Sequence, residues 1–176
     1  MRPPVPSFEE VYAAHFDFVW RSARAMGVPS ASVDDVVQDV FMVVHRRLSE
    51  FEGRAQLRTW LARILVRVIC EHRRRFRRKE AHAPLEEEPV DRGQLGPLEQ
   101  VARREAARAL LAILDAMDDE KRQVFVLAEV EQLPVPEIAT ALGINVNTAY
   151  SRLRLARAEY EKQLSRLRAR DEWRLP

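Results

Sequence analysis

Apolar residues recur along this chain at helical spacing. Phe8, Val11, Tyr12, Phe16, Val19, Trp20 and Ala23 stand three and four apart and predict one amphipathic helix. Ser7 and Glu10 make a capping box at its start, and Gly27 closes it. Val33, Val36, Val37, Val40, Phe41, Val44 and Leu48 form a second stripe, with Ser32 and Asp35 as another capping box. Valine favours strands, but the spacing and the caps outweigh that weak preference. Leu57, Trp60, Leu61, Ile64, Leu65 and Val68 form a third stripe, which runs into the basic block Arg73, Arg74, Arg75, Arg77 and Arg78. Further helices are expected over 98–117, 119–131, 135–142 and 146–170. No segment sustains a two-residue alternation, so the fold class is all-α.

Prolines divide the pattern. The stretches 30–83, 98–133 and 137–175 contain none and are long enough for helices. Between them, Pro84, Pro89, Pro97, Gly93, Gly96 and the run Glu86, Glu87, Glu88 mark 81–97 as a flexible linker. The organisation is therefore two small helical domains, 7–80 and 98–170, with no internal repeat.

Charge sharpens this division. The net charge is only +2, from 29 basic and 27 acidic residues, but it is zoned. Six basic residues face one acid between Glu71 and Lys79, and seven face two between Tyr150 and Arg170. The segment between these blocks is acidic, so two cationic surfaces on separate units are expected. Twenty-six of the basic residues are arginine, whose planar fork suits phosphate and base edges. A GC-rich genome gives the same bias, and solvated helix ends the same blocks.

The composition, 47% hydrophobic and 32% charged, excludes disorder and collagen-like structure. No apolar run is long enough for a membrane span, and the start does not resemble a signal peptide. The lone Cys70 reads as a buried inert thiol rather than a redox sensor. A cytoplasmic protein is the simplest expectation. His15, His45, His72 and His82 show no metal-ligand spacing, and no phosphate-cradling loop or nucleophile with a base is visible. No enzyme activity, cofactor or metal is expected.

The most informative motif runs from Pro136 to Asn145. A short helix ends at Gly143, and Asn145 caps a second helix beginning near Val146. Small Ala139 lets the helices approach, while Ile138, Leu142, Ala149 and Leu153 fill the space between them. This is a helix-turn-helix, whose second helix enters the DNA major groove by its N-terminal part. Asn147, Thr148, Tyr150, Ser151, Arg152 and Arg154 then face base edges and phosphates. An ordinary helical hairpin with a solvated polar face would share the pattern.

Three motifs in order resemble the sigma factors of bacterial RNA polymerase, in the compact extracytoplasmic-function (ECF) group. Asp34-Asp35-Val36-Val37-Gln38-Asp39-Val40-Phe41 resembles that family's polymerase-binding helix. Phe51-Glu52-Gly53-Arg54-Ala55-Gln56-Leu57-Arg58-Thr59-Trp60-Leu61 resembles the lead into its minus-ten-reading helix, and Leu133 to Arg157 its minus-thirty-five-reading helix-turn-helix. The resemblance implies a promoter-recognition subunit with partners in core RNA polymerase (clamp helices and flap), promoter DNA and an anti-sigma factor. Asp35, Gln38 and Asp39 would meet the clamp helices, although capping explains part of Asp35. Phe51 would hold a flipped base, worth about 1–3 kcal/mol by stacking, or else pack on Trp60. Arg63, Arg67, Arg73, Arg74, Arg75, Arg77 and Arg78 would track the minus-ten backbone in a salt-sensitive way.

Asn147, Thr148, Tyr150, Ser151, Arg152, Arg154 and Arg157 would read the minus-thirty-five element. The apolar face of residues 110–128 could serve the flap. The sequence departs from the family at Tyr150, where a basic residue is usual, and at Leu155, often basic, which leaves the preferred bases open. Tyr150 could contact a thymine methyl, contact a phosphate or simply pack. A conventional helix-turn-helix regulator and a protein-binding adaptor are the competing classes. Co-purification with core polymerase separates the first, and reconstituted transcription the second.

Overall fold

The computed structural model describes residues 6–53, 56–77 and 97–172. Of the expected linker only Pro97 falls within them, and Arg78 lies outside. Helices α1 (Phe8–Ala25), α2 (Ser30–Arg47) and α3 (Leu57–Arg77) build the first half, with a single 3₁₀ turn at Leu48–Glu50. Helices α4 (Pro97–Asp115), α5 (Asp119–Phe125), α6 (Val135–Leu142) and α7 (Val146–Glu172) build the second.

Local chemistry sets the ends of α1 as expected. Ser7 Oγ accepts from the Glu10 N–H at 3.2 Å, and Glu10 Oε2 accepts from the Ser7 N–H at 2.8 Å. Gly27 takes φ +84°, which a side chain would resist, and its N–H donates to the Arg24 carbonyl. The expected capping box at Ser32 and Asp35 is corrected. Helix α2 begins three residues earlier, at Ser30 after Pro29 (φ −56°, ψ 143°), and has no side-chain cap. Proline presets the entry, so Ser32 lies inside the first turn, with its N–H on the Pro29 carbonyl at 2.9 Å.

The valine stripe of α2 is buried throughout, at Val33, Val36, Val37, Val40 and Val44. It packs on α1 and α3, so tertiary burial overrides the strand preference of valine. Phe41 lies among Phe8, Tyr12 and Phe16, with ring centroids 4.7 to 6.4 Å away.

In the second half the helix expected over 119–131 divides. Asp118 caps α5 by accepting from the Lys121 N–H at 3.0 Å. The helix ends at Phe125 and widens into a π turn, Val126–Val130, which buries Val126 and Leu127. Gln132 then takes φ 57°.

The halves, expected to hang loosely on a tether, pack against one another. Helix α3 lies on α6, and α1 on the π turn. The buried apolar residues of both halves, from Val11 to Ala156, form one cluster.

Candidate nucleic-acid interface

The helix-turn-helix forms from α6 and α7. Gly143 ends α6 at φ 66°, ψ 34°. A Cβ there would meet nothing within 4 Å, so glycine serves the backbone conformation rather than a close approach. Asn145 Oδ1 accepts from the Asn147 N–H at 2.8 Å and starts α7. Ile138, Ala139, Ala149 and Leu153 are buried between the helices, and Leu142 is half-buried.

Packing this face inward turns Asn147, Thr148, Tyr150, Ser151 and Arg154 outward. Tyr150 is 54% and Leu155 48% exposed, so Tyr150 does not pack into the core. Arg152 is half-buried and pairs with Glu120 at 2.6 Å. Arg157 pairs with Glu129 at 2.7 Å. Lys121 bridges α5 to α7, reaching Asp118 and Glu159 at 2.7 Å each. Its hydrogen bonds to these carboxylates, Asp118 first, raise its pKa, and the same contact lowers that of Asp118. Helix α7 is thus braced from behind with its N-terminal face open.

Helix α3 carries the second cationic set. Arg63, Arg67, Arg74 and Arg75 are exposed, and Arg67 pairs with Glu71 at 3.2 Å. Arg73, expected on the minus-ten backbone, pairs with Asp119 at 2.6 Å and donates to the Met26 carbonyl. Arg77 is the last residue of α3, and its side chain lies outside the described residues. Phe51 is half-buried beside Trp60, ring centroids 5.5 Å apart, so both expected roles draw on the same aromatic pair.

Comparison with known proteins matches both halves in order. The family model for sigma-70 region 2 covers residues 11–79, and that for sigma-70 region 4 covers 107–159. The chain belongs to the sigma-70 family. It is 32% identical over 161 residues to the RNA polymerase sigma factor CnrH of Cupriavidus metallidurans, covering 87% of this chain and 84% of that protein. It is 30% identical over 164 residues to the ECF RNA polymerase sigma factor SigM of Mycobacterium tuberculosis, covering 92% and 79%. The structure of CnrH in complex with the cytosolic domain of CnrY is similar at TM-score 0.66 and 29% identity, covering 90% of this chain and 87% of that one. The fold is shared with RpoE of Bartonella quintana, solved in complex with the anti-sigma factor NepR, at TM-score 0.73, 19% identity and coverage of 90% and 96%. As an ECF sigma factor, the chain binds core RNA polymerase and directs promoter-specific initiation.

In this sigma factor Asp35 and Gln38 stand exposed on α2, and Asp39 is half-buried. Asp34 holds Trp20 Nε1 at 3.1 Å. Beside Gln38 opens an aromatic groove lined by Phe8, Tyr12, Phe16, Phe41 and Met42. Tyr12 is 42% and Met42 49% exposed. These were absent from the expected site because Tyr12 reads as one more core position of its stripe. The apolar face of 110–128 needs a correction in the other direction. Ile113, Leu114, Met117, Val124, Phe125, Val126 and Leu127 are buried in the sigma factor's own core, so most of that face is not free for the flap. Cys70 is half-buried rather than fully buried, with Gln123 Nε2 at 4.0 Å from its sulfur. No described helix is long and apolar enough to cross a membrane.

Proposed function

We propose that this sigma factor meets the clamp helices of the polymerase with Asp35, Gln38 and Asp39, reinforced by the aromatic groove beside them. Acids at an exposed helix face next to apolar side chains suit a basic, partly apolar partner. Arg63, Arg67, Arg74 and Arg75 follow the minus-ten backbone, joined by Arg73, Arg77 and Arg78 when the chain is engaged. Phe51 receives a flipped base, with Trp60 as its floor. Asn147, Thr148, Tyr150, Ser151, Arg152, Arg154 and Arg157 face the minus-thirty-five element. Tyr150 supplies an apolar ring for a thymine methyl where a basic residue is usual. The domains extend over 7–80 and 98–170. The chain acts in the cytoplasm, carries out no chemistry of its own and is held in reserve by an anti-sigma partner. Support for such a partner comes from the solved relatives, CnrH with CnrY and RpoE with NepR.

The observation that carries this reading is the open N-terminal face of α7 on a braced helix-turn-helix, following a region 2 half with an exposed acidic face. The test is a pair of variants in reconstituted transcription. Asp35→Ala/Gln38→Ala should weaken core polymerase binding and leave binding of a minus-thirty-five duplex unchanged. Arg154→Ala should do the reverse. Equal loss of both activities in both variants would contradict the assignment.

A further inference from the structure

Helix α3 shows solvent a row of arginines with one interruption. From Leu57 to Arg75 its exposed residues are Arg63, Arg67, Glu71, Arg74 and Arg75. Positions 63, 67, 71 and 75 stand four apart along one side of the helix, with a rise of about 6 Å between successive members. Glu71 is therefore an acid set between two arginines, on a surface proposed to follow the minus-ten backbone. A carboxylate there repels phosphate, so backbone contact gives no reason for it.

The groove between α2 and α3 shows where this carboxylate stands. Two adjoining cavities, of about 340 Å³ and 420 Å³, share Val43, Arg47, Val68 and Glu71. Glu71 thus stands at their junction, whereas Asp39 lines only the first. Val68 is buried and Val43 half-buried, which gives the junction an apolar floor. On the α2 side Arg47 is exposed and pairs with Glu50 at 2.9 Å. Arg67 Nε donates to Glu71 Oε1 at 3.2 Å. The two side chains are 75% and 47% exposed, so water screens the pair and it adds little to stability. It does keep a cation beside the carboxylate, which eases the approach of DNA, and it uses one carboxylate oxygen of two.

Base edges offer a carboxylate few partners. In the major groove only cytosine N4 and adenine N6 donate hydrogen bonds; guanine presents O6 and N7, and thymine O4, all of them acceptors. Adenine sets its N7 acceptor beside the amino group, whereas cytosine has only C–H beside N4. A carboxylate therefore accepts best from cytosine and repels guanine and thymine. We propose that Glu71 is a specificity-determining residue, whose carboxylate accepts a hydrogen bond from N4 of a cytosine in the base-paired part of the minus-ten element. Arg63, Arg67 and Arg75 bring the backbone close on either side, and Glu71 rejects sequences that place an acceptor against it. The inference rests on the proposed placement of α3 against the minus-ten element.

The test is run-off transcription by the full chain with core polymerase on a library randomised through the minus-ten element. The parent should favour cytosine at one position by about tenfold over guanine or thymine, the lower part of the range for one base contact. Glu71→Ala should flatten the preference at that position, leave the other positions unchanged and raise initiation at promoters carrying guanine or thymine there. Glu71→Gln should turn the preference toward adenine, because an amide pairs with N6 and N7 together. Glu71 is exposed, so both variants should keep the circular dichroism of the parent. Arg63→Ala should lower initiation at all sequences alike, which checks the placement of α3. A parent that selects bases sharply, with Glu71 variants that keep its profile, would overturn the inference alone. A parent favouring guanine at the position that Glu71→Ala alters would overturn it too, since Glu71 would then only steady Arg67 for a guanine contact. If Arg63→Ala and both Glu71 variants change nothing, α3 does not face the element, and the placement falls together with the inference.

Discussion

The two cationic helices spend their arginines differently. On α3, Arg58 and Arg73 reach across to acids of region 4, at Glu131 and Asp119. On α7, Arg152 and Arg157 are braced by acids of their own region, Glu120 and Glu129, while Arg154 stays exposed. The two blocks carry similar net charge in sequence. One is partly engaged in pairing the halves; the other presents a supported, exposed face. Positive charge along a chain counts the contacts available, and packing decides which of them remain for DNA.

The largest effects should come from the cores beneath the two helices. Ile138 under α7 and Leu65 in α3 are both fully buried. Ile138→Ala and Leu65→Ala should each cost about 2–5 kcal/mol in urea unfolding. Only Ile138→Ala should also remove binding of an isolated minus-thirty-five duplex. Arg154→Ala should weaken that duplex by about 1–3 kcal/mol in a titration at fixed salt, whereas Arg73→Ala should leave it unchanged. If Arg73→Ala weakened it equally, the two helices would not be distinct in role.

Asp118→Ala should destabilise the fold by about 1 kcal/mol through loss of the α5 cap, measurable by thermal unfolding. Salt dependence sharpens the contrast within α3 itself. Arg74 is exposed and Arg73 is held by Asp119. In binding to a minus-ten duplex, Arg74→Ala should reduce the steepness of affinity against salt by about one counterion. For the free chain, Arg73→Ala should change it less.

The smallest effect is acid sensitivity, and it separates the halves. His15 and His72 of region 2 both have lowered pKa values, burial being the main cause and Arg58 adding to it at His15. They fold neutral, so their contribution is present above the unfolded value near 6.5 and is lost as pH falls below it toward the lowered native values. Both side chains are partly exposed, so the loss is modest. Region 4 from residue 98 onward contains no histidine. Amide exchange between about pH 7.5 and 5.5 should show protection falling in α1 and α3 before α6 and α7, and His15→Gln should flatten the trend.

Local features were legible in the sequence because local chemistry produces them. The valine stripe, the Ser7–Glu10 box, the Gly143 stop and the Asn145 cap each depend on residues within a turn or two. The exposed face of α7 followed from the same spacing. The contacts of Arg21 and Arg58 with buried Glu131 left no such signal, since Arg21 stands 110 residues from its partner. The burial of Thr59, Ala62, Val66 and Ile69 along a second side of α3 was hidden because polar Thr59 and Arg73 bound that row, and the obvious stripe already accounted for a helix. The start of α2 was misplaced because Ser32 and Asp35 satisfy a capping pattern that Pro29 pre-empts. The break at Phe125 likewise escaped, because the buried π turn continues the apolar run.

The central claim is that a region 2 half and a helix-turn-helix half act together on promoter DNA while bound to polymerase. Run-off transcription with purified core polymerase on a promoter library tests it most directly. Start sites should cluster downstream of one shared pair of upstream elements, and the distal element alone should relax when Tyr150→Arg is introduced. Initiation that is absent, or indifferent to upstream sequence, would contradict the claim.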